Sequence, residues 1–174
     1  ELARIVRERS VDWPGVSLEI EPVRDYPTGS LTANIIGYLG PISASQQTAY
    51  EERGFVTNRD KIGYAGVETS MDDILLGKNG LRVIQEDVAG EELRNLEPPI
   101  PPTPGYNVTL TIDTRLQKVA EASLIDEINF WNTRLEAARR ISSGVVIAMN
   151  PKTGEILAMV SYPTYENNRL ARFI

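Results

Sequence analysis

The carboxylates are the side chains of this sequence best suited to chemistry. The 174 residues contain no histidine and no cysteine, which excludes Ser-His-Asp and Cys-His nucleophiles and the usual zinc sites. Adjacent acidic residues at Asp72-Asp73, Glu51-Glu52 and Glu91-Glu92 are the candidates for a general acid and base. Helix neighbours diverge by about 100 degrees, so the two members of a pair do not face one substrate. We therefore expect solvated faces here, with no catalytic residue and no metal site.

The charge balance disfavours nucleic acid as a partner. The chain carries 18 basic and 24 acidic residues, a net charge of -6, without a basic cluster interleaved with aromatic residues. Arg134, Arg139 and Arg140 lie near Phe130 and Trp131, where they could meet an anionic lipid or a cell-wall polymer. The simpler interpretation is the solvated face of a helix or loop.

Composition indicates a globular protein. Hydrophobic residues make up 41% and charged residues 24%, and 174 residues suffice for one domain or two small lobes. No run of about 20 apolar residues occurs, and Glu1-Leu2-Ala3-Arg4 is not typical of a signal peptide. We expect the chain to be an excised piece of a longer protein.

The stretch from Gly63 to Gly80 is predicted to position the central acidic residues. Its apolar residues recur at helical spacing, which predicts a short helix with one buried face. Gly63 and Gly66 would allow a close backbone approach, Glu68 would lie in the first turn, and Gly77 would end the helix in a left-handed conformation. The apolar face would consist of Val67, Met71, Ile74 and Leu75.

A helix, a strand and a fixed corner are predicted before this stretch. The helix would begin the chain and the strand would span residues 16–21, where apolar and polar residues alternate. In the corner at residues 24–29, Pro27 restricts Tyr26 to extended geometry and Gly29 permits a turn. The residues that indicate the first helix are Leu2, Ile5, Val6 and Arg9.

A further helix is predicted over residues 44–53. Ser43 suits its N-cap and Gly54 suits its end, while residues 31–36 are ambiguous in type. We expect residues 31–55 to form an exposed head.

The rest of the chain predicts two hairpins, a stiff connector, a strand and a long helix. The connector is the proline-rich segment 97–105, where we place a module boundary. Asp113 or Thr114 would cap the long helix, which could extend to Arg140. The predicted strands are 81–88 with 91–96 joined at Ala89-Gly90, 107–113, and 145–149 with 156–161 joined at 150–154.

Four blocks of the sequence together resemble class B penicillin-binding proteins of the penicillin-binding protein 2 type. Arg24-Asp25-Tyr26-Pro27-Thr28-Gly29 is similar to the family's Arg-x-Tyr-Pro-x-Gly. Two later blocks are Leu110-Thr111-Ile112-Asp113 with Leu116-Gln117, and the segment 150–161 that begins Asn150-Pro151. The central block matches at Gly63, Gly66, Glu68, Asp72, Leu75 and Gly77.

The resemblance implies an α+β fold in two modules. Residues 1–105 would be a pedestal or dimerisation domain, elongated and two-lobed, with helices and short mixed β-sheets. Residues 106–174 would form a connecting strand, a long helix and the first hairpin of an incomplete transpeptidase domain. Because that hairpin would lack the rest of its sheet, we expect disorder after Tyr165.

The family's catalytic motifs are missing from this sequence. The resemblance implies a nucleophilic serine in Ser-x-x-Lys, with Ser-x-Asn and Lys-Ser/Thr-Gly completing the site. No serine here has lysine three positions later or asparagine two positions later. Lys152-Thr153-Gly154 spells the third motif, but it follows Asn150-Pro151 and is predicted to be a structural turn. We expect neither catalysis nor a cofactor in this chain.

Arg24 and Glu68 are the charged members of two motifs that otherwise contain turn-forming and apolar residues. We predict that they form an ion pair that ties the corner to the start of the central helix. The alternative is that both side chains are solvated, where a pair contributes only about 0 to 1 kcal/mol.

The resemblance implies a non-catalytic module that positions a serine-type D,D-transpeptidase at the extracytoplasmic face of the bacterial cytoplasmic membrane. Its partners would be a polytopic peptidoglycan glycosyltransferase and scaffold proteins of elongation or division, and it would reach the membrane through an N-terminal helix missing from this sequence. Two alternatives remain open. One is a self-associating structural domain that acts as a homodimer, and the other is an enzyme using Asp72, Asp73 or Glu68.

Overall fold

The computed structural model describes residues 4–6, 23–87, 92–135 and 140–173. The chain divides into two compact units. The hairpin unit consists of Glu1–Val23 and Asn79–Thr103, and the motif unit consists of Arg24–Lys78 and Pro104–Ile174. Both predicted modules contribute to the motif unit, because the chain leaves it after Lys78 and returns at Pro104. The predicted module boundary at 97–105 stays a prediction.

Among its described residues, the hairpin unit contains one antiparallel strand pair, Ile84–Glu86 with Glu92–Asn95. The pairing of these strands is confirmed, while the predicted turn at Ala89-Gly90 lies outside the described residues. Leu81 pairs with Ile100, so the proline-rich connector returns alongside the residues that precede the hairpin. Of the first predicted helix only residues 4–6 are described, and they are helical; the predicted strand 16–21 also lies outside the described residues.

The part of the motif unit that the structure describes combines short helices, one long helix and two antiparallel strand pairs. Leu39–Pro41 pairs with Lys61–Gly63, and Gly144–Met149 pairs with Ile156–Tyr162. The fold is therefore α+β as predicted, but the sheets among the described residues are antiparallel pairs and not mixed sheets. The helical segments are the 3-10 turn Gly29–Thr32 and the helices Ala33–Ile36, Gln47–Glu52, Gly66–Ser70, Asp72–Leu75, Thr114–Asn132 and Asn167–Phe173.

The predicted central helix is two short helices, Gly66–Ser70 and Asp72–Leu75, interrupted at Met71 with φ -116° and ψ 20°. Its predicted buried face is wrong, because Met71 is 39% and Ile74 is 43% exposed, whereas Glu68 is only 3% exposed. The buried side of this stretch therefore carries the Glu68 carboxylate and not the apolar residues that recur at helical spacing.

The predicted ends of the helices are partly confirmed. Gly77 lies outside the left-handed region, and the second short helix is followed instead by an extended Leu76 at φ -70° and ψ 131°. Ser43 does not cap the helix Gln47–Glu52; its Oγ donates to Gln46 Oε1 over 2.6 Å. Gly54, at φ +85°, follows that helix as predicted.

The expected exposed head holds for only part of residues 31–55. The first part, with the ambiguous residues 31–36, forms helical turns that bury Thr32, Ala33 and Ile35. The helix Gln47–Glu52 buries no residue, so the expected exposure is confirmed for this helix.

Asp113 caps the long helix, as predicted. Its Oδ1 accepts hydrogen bonds from the backbone N–H groups of Arg115 and Leu116 at 2.8 and 3.3 Å. Hydrogen bonds from the Arg115 side chain and then from these backbone groups lower the pKa of Asp113. The helix ends at Asn132 and does not continue to Arg140.

The predicted strand 107–113 is wrong. This segment has no strand ladder and is held to the C-terminal hairpin by two bonds near its end. Thr111 Oγ1 donates to the carbonyl of Ile156 at 2.7 Å, and the Asp113 N–H donates to the carbonyl of Leu157 at 2.9 Å.

The C-terminal hairpin is confirmed, but the disorder expected after Tyr165 is wrong. Residues Asn167–Phe173 form a helix whose Asn167 and Ala171 are buried. This helix, the hairpin and the long helix enclose the core together with the corner near residue 26. Among the described residues, the buried apolar side chains are Tyr26, Ala33, Ile35, Ile42, Ile62, Ile128, Ala158, Val160 and Ala171.

Candidate functional site

Arg24 and Glu68 form the ion pair that the sequence predicted. Arg24 Nε donates to Glu68 Oε1 at 2.7 Å, and Nη2 donates to Oε2 at 3.2 Å, so the contact is bidentate. The Glu68 side chain is 3% exposed and that of Arg24 is 43% exposed. Burial alone would lower the pKa of Arg24, but the hydrogen bond and the charge of Glu68 outweigh it and raise that pKa.

The glycines of the two motifs bring backbone segments into contact. Gly66 has φ +57°, and an added Cβ there would overlap the carbonyl oxygen of Ile35. A Cβ at Gly63 would overlap the carbonyl oxygen of Glu68. Gly29 turns the corner with φ +50°, and its N–H donates to the carbonyl of Tyr26 at 2.9 Å. The predicted close approach is confirmed at Gly63 and Gly66.

Tyr26 lies at the centre of this arrangement. Its hydroxyl oxygen accepts a hydrogen bond from the Leu39 N–H at 3.2 Å, and the residue is buried. Burial, followed by the nearby negative charge of Glu68, raises the pKa of Tyr26 to about 12. The phenol is therefore neutral in the folded protein across the physiological range.

This raised pKa predicts a loss of stability in alkali. An unfolded tyrosine ionises near pH 10, whereas Tyr26 ionises in the folded state at about 12. The contribution of the neutral phenol is complete below pH 10 and is lost as the pH rises through 12. Between pH 9 and 12, urea denaturation should show wild type losing about 2 kcal/mol more stability than Tyr26→Phe.

Tyr106→Phe is the matched control for this titration, because Tyr106 is a largely exposed residue. Its stability should follow that of wild type at every pH. Equal pH slopes for wild type and Tyr26→Phe would contradict the predicted ionisation of Tyr26.

The remaining central carboxylates bind structural donors and do not converge. Asp72 accepts from the Tyr50 hydroxyl at 2.7 Å and from the Gly63 N–H at 3.1 Å. Asp73 accepts from Arg53 at 2.8 Å, at the surface. Burial and then the bond to Asp72 raise the pKa of Tyr50. No cluster of three or more metal-ligating side chains occurs in the described ranges.

The C-terminal helix and Tyr165 just before it supply contacts that the sequence did not predict. Asn168 Oδ1 accepts from the Tyr26 N–H at 2.9 Å, and Asn168 Nδ2 donates to the Tyr26 carbonyl at 2.8 Å. Tyr165 donates its hydroxyl to the Ala33 carbonyl at 2.8 Å. These partners lie 142 and 132 positions apart in sequence, so no local pattern could have identified them.

Gln117 is a second unpredicted contact, although it lies in one of the family-like blocks. Its Oε1 accepts from the Met159 N–H at 2.8 Å, and its Nε2 donates to the carbonyls of Met159 and Leu31 at 2.8 and 3.1 Å. The buried amide therefore joins the long helix, the hairpin and the turn after the corner. Its sequence signals were its position four residues after the helix N-cap Asp113 and its place in the block Leu116-Gln117.

The Lys152-Thr153-Gly154 segment is a surface turn, as predicted. Asn150 Oδ1 accepts from the Lys152 N–H at 3.1 Å, and Gly154 adopts φ +79°. Of the arginines predicted to be solvated, Arg134 is exposed and stacks over the Phe130 ring at 3.5 Å. Arg140 is exposed, and Arg139 lies outside the described residues.

None of the helices in the described ranges is both long enough and apolar enough to cross a membrane.

Comparison with known proteins assigns residues 1–110, which include the motifs around Arg24 and Glu68, to a protein family. The family model of the penicillin-binding protein dimerisation domain matches residues 1–110. The peptidoglycan D,D-transpeptidase MrdA of Acinetobacter baumannii is 35% identical over 156 residues, covering 90% of this chain and 21% of that protein. The peptidoglycan D,D-transpeptidase FtsI of Escherichia coli is 30% identical over 176 residues, covering 98% of this chain and 25% of that protein.

Solved structures agree with this relationship. A complex of penicillin-binding protein PBP2 with MreC from Helicobacter pylori aligns with a TM-score of 0.67 at 26% identity, covering 97% of this chain and 28% of the other. A structure described as a peptidoglycan synthase complex coordinating polymerization and crosslinking aligns with a TM-score of 0.69 at 32% identity, covering 96% and 28%. The chain thus spans between about a fifth and about a quarter of these curated relatives. It belongs to the penicillin-binding protein dimerisation domain family and is homologous to the class B penicillin-binding proteins MrdA and FtsI.

Proposed function

We propose that the chain is the non-catalytic pedestal of a class B penicillin-binding protein, which positions a peptidoglycan D,D-transpeptidase. The observation that carries the proposal is the Arg24–Glu68 ion pair, which connects the two family motifs. The buried carboxylate of Glu68 binds Arg24 and therefore has a structural role. The absence of Ser-x-x-Lys from the sequence supports a positioning role for these residues. On this proposal, residues 1–105 are the pedestal domain and residues 106–174 open the transpeptidase domain.

The proposed motif set is structural, and each member has a distinct role. Arg24 and Glu68 are the ion pair, Tyr26 and Pro27 form the corner, and Asp72 fixes the start of the helical segment through the Gly63 N–H. Gly29 and Gly66 supply left-handed backbone. Leu75 and Gly77 complete the family pattern, where the Leu75 backbone lies against Gly105.

We infer the partners from the proteins that this chain resembles. A structural neighbour was solved with MreC, and another belongs to a peptidoglycan synthase complex. These support docking to a scaffold protein and to a peptidoglycan glycosyltransferase, at the extracytoplasmic face of the bacterial cytoplasmic membrane. Because the relatives act in peptidoglycan synthesis, that location is where the proposed activity has its substrate.

Labelling with a fluorescent penicillin tests the proposal. The 174-residue chain should not be labelled, whereas a version extended through the complete transpeptidase domain should be, because the nucleophilic serine would lie in the extension. Lys152→Ala in the extended protein is the matched control, and it should leave labelling unchanged because this lysine lies in an exposed turn. Labelling of the short chain, or of neither protein, would overturn the proposal.

The family description as a dimerisation domain favours self-association as a second candidate function. Sedimentation of the chain at several concentrations distinguishes the two, since an obligate dimer persists on dilution. A monomer across the range would leave the pedestal role as the better account.

A further inference from the structure

Side-chain amides in the motif unit take the place of backbone partners. The Asn168 carboxamide pairs with both the N–H and the C=O of Tyr26, as a neighbouring β-strand would. Asn132 does the same with Ile141, through bonds of 2.7 and 2.8 Å. The two pairs are chemically alike, but Asn132 joins residues 9 positions apart and Asn168 joins residues 142 apart.

The Asn168 pair belongs to a seam between the corner region and the C-terminal helix. Thr164 Oγ1 donates to the Ser30 carbonyl at 3.0 Å, and Asn167 Nδ2 donates to the Gly37 carbonyl at 3.2 Å. Lys61 Nζ donates to the Ala171 carbonyl at 3.1 Å. Each of these three bonds joins a side chain to a backbone carbonyl across the seam; the side chain belongs to the C-terminal segment in two of them and to Lys61 in the third.

Opening this seam at Asn168 would expose several groups at once. The Tyr26 carbonyl accepts from both Asn168 Nδ2 and the Gly29 N–H, and the Tyr26 N–H has Asn168 as its acceptor. Tyr26 is buried, so water cannot replace these partners while the corner keeps its conformation. Loss of the amide pair therefore favours movement of the whole corner over local fraying of the helix.

We propose that Asn168 is a latch that couples the Tyr26 corner to the helix Asn167–Phe173, so that loosening either one loosens the other. The coupling is reciprocal because both sides share the same hydrogen bonds. Its functional meaning rests on the proposed pedestal role: a partner that displaces the corner would act through Asn168 on the segment leading into the rest of the transpeptidase. The coupling itself is a property of this chain.

Amide hydrogen exchange on the whole chain tests the latch. Asn168→Leu keeps the side-chain size and removes both bonds to Tyr26, together with a 3.2 Å bond from Asn168 Nδ2 to Glu166 Oε1. Exchange at the Tyr26 and Gly29 amides should therefore rise by about tenfold or more. Amides in the middle of the long helix Thr114–Asn132 report global unfolding and should change less. Asn132→Leu is the matched control: it should raise exchange at Ile141 and leave Tyr26 and Gly29 unchanged.

The reverse direction uses Arg24→Met, which perturbs the corner from the side of Glu68. Exchange in Asn167–Phe173 should then rise by more than in the long helix. If Asn168→Leu does not fold, Tyr165→Phe is the second variant: it removes the bond from the Tyr165 hydroxyl, just before the C-terminal helix, to the Ala33 carbonyl after the corner. It should produce the same pattern with smaller amplitude. Unchanged Tyr26 and Gly29 amides in a folded Asn168→Leu, or an unchanged C-terminal helix in Arg24→Met, would overturn the latch. Penicillin labelling does not depend on this exchange, so the two proposals fail separately.

Discussion

Replacing Arg24 by methionine is expected to lower the free energy of unfolding by about 3 kcal/mol, because it leaves the Glu68 carboxylate buried without its guanidinium. The side chain of Glu68 is 3% exposed, so water cannot readily solvate the charge. Arg24 is half-exposed, which places the expected effect at the lower end for a broken buried pair. Urea denaturation monitored by circular dichroism would measure the change.

Arg53→Met is the matched control for this prediction. Arg53 also pairs with a carboxylate, at 2.8 Å from Asp73, but that side chain is 86% exposed. Arg53 also lies over the Tyr50 and Phe55 rings, 4.9 and 5.6 Å from their centroids, so the control should change stability by about 1 kcal/mol, well below the effect at Arg24. Combining Arg24→Met with Glu68→Met should cost less than the sum of the two single changes, since it removes both charges together. Equal effects at Arg24 and Arg53, or strict additivity, would mean that Glu68 is effectively solvated in the native state.

Local chemistry made several features of the fold predictable. The Asp113 cap and the turn at 150–154 are set by side chains and glycines within a few residues of the backbone they stabilise. The C-terminal hairpin follows from the short, continuous apolar runs 145–149 and 156–160 on either side of that turn. These features can be predicted from the sequence because they do not depend on a distant partner.

The central stretch shows where periodicity alone misleads. Apolar spacing assigned Met71 and Ile74 to the core, but both are substantially exposed, and the buried position belongs to Glu68. A carboxylate can occupy that place only because Arg24 reaches it from 44 positions earlier. The family motifs identified the two partners, whereas hydropathy could identify neither.

The C-terminal helix was unpredictable for a related reason. Asn167 and Asn168 form a polar pair that is typical of a surface loop, and their bonds go to Gly37 and Tyr26 at the other end of the chain. A side-chain amide that pairs with a backbone N–H and C=O, as Asn168 does with Tyr26, produces no periodic pattern in the sequence. Disorder was expected because the hairpin would lack the rest of its sheet, and this expectation is wrong because long-range hydrogen bonds hold the helix.

Gly66→Ala is expected to cost about 4 kcal/mol of stability, the second large effect in this chain. Gly66 has φ +57°, where an alanine is strained by about 1 to 2 kcal/mol. An added methyl would also overlap the carbonyl oxygen of Ile35. The backbone shift needed to remove this overlap costs roughly a further 1 to 3 kcal/mol. The melting temperature should fall by about 10 °C.

Gly54→Ala separates the two causes. Gly54 has φ +85°, but a Cβ there meets nothing within 4 Å, so only the conformational strain applies. Its expected cost is about 1 kcal/mol, and the difference between the two variants measures the close approach of Gly66 to Ile35. Calorimetry of both variants would measure this difference in stability. Because Gly66 begins the segment that carries Glu68, its backbone position also sets the carboxylate opposite Arg24. If the two glycines tolerated alanine equally well, close packing at Gly66 would not be what fixes the ion pair, and the left-handed turn alone would explain that glycine.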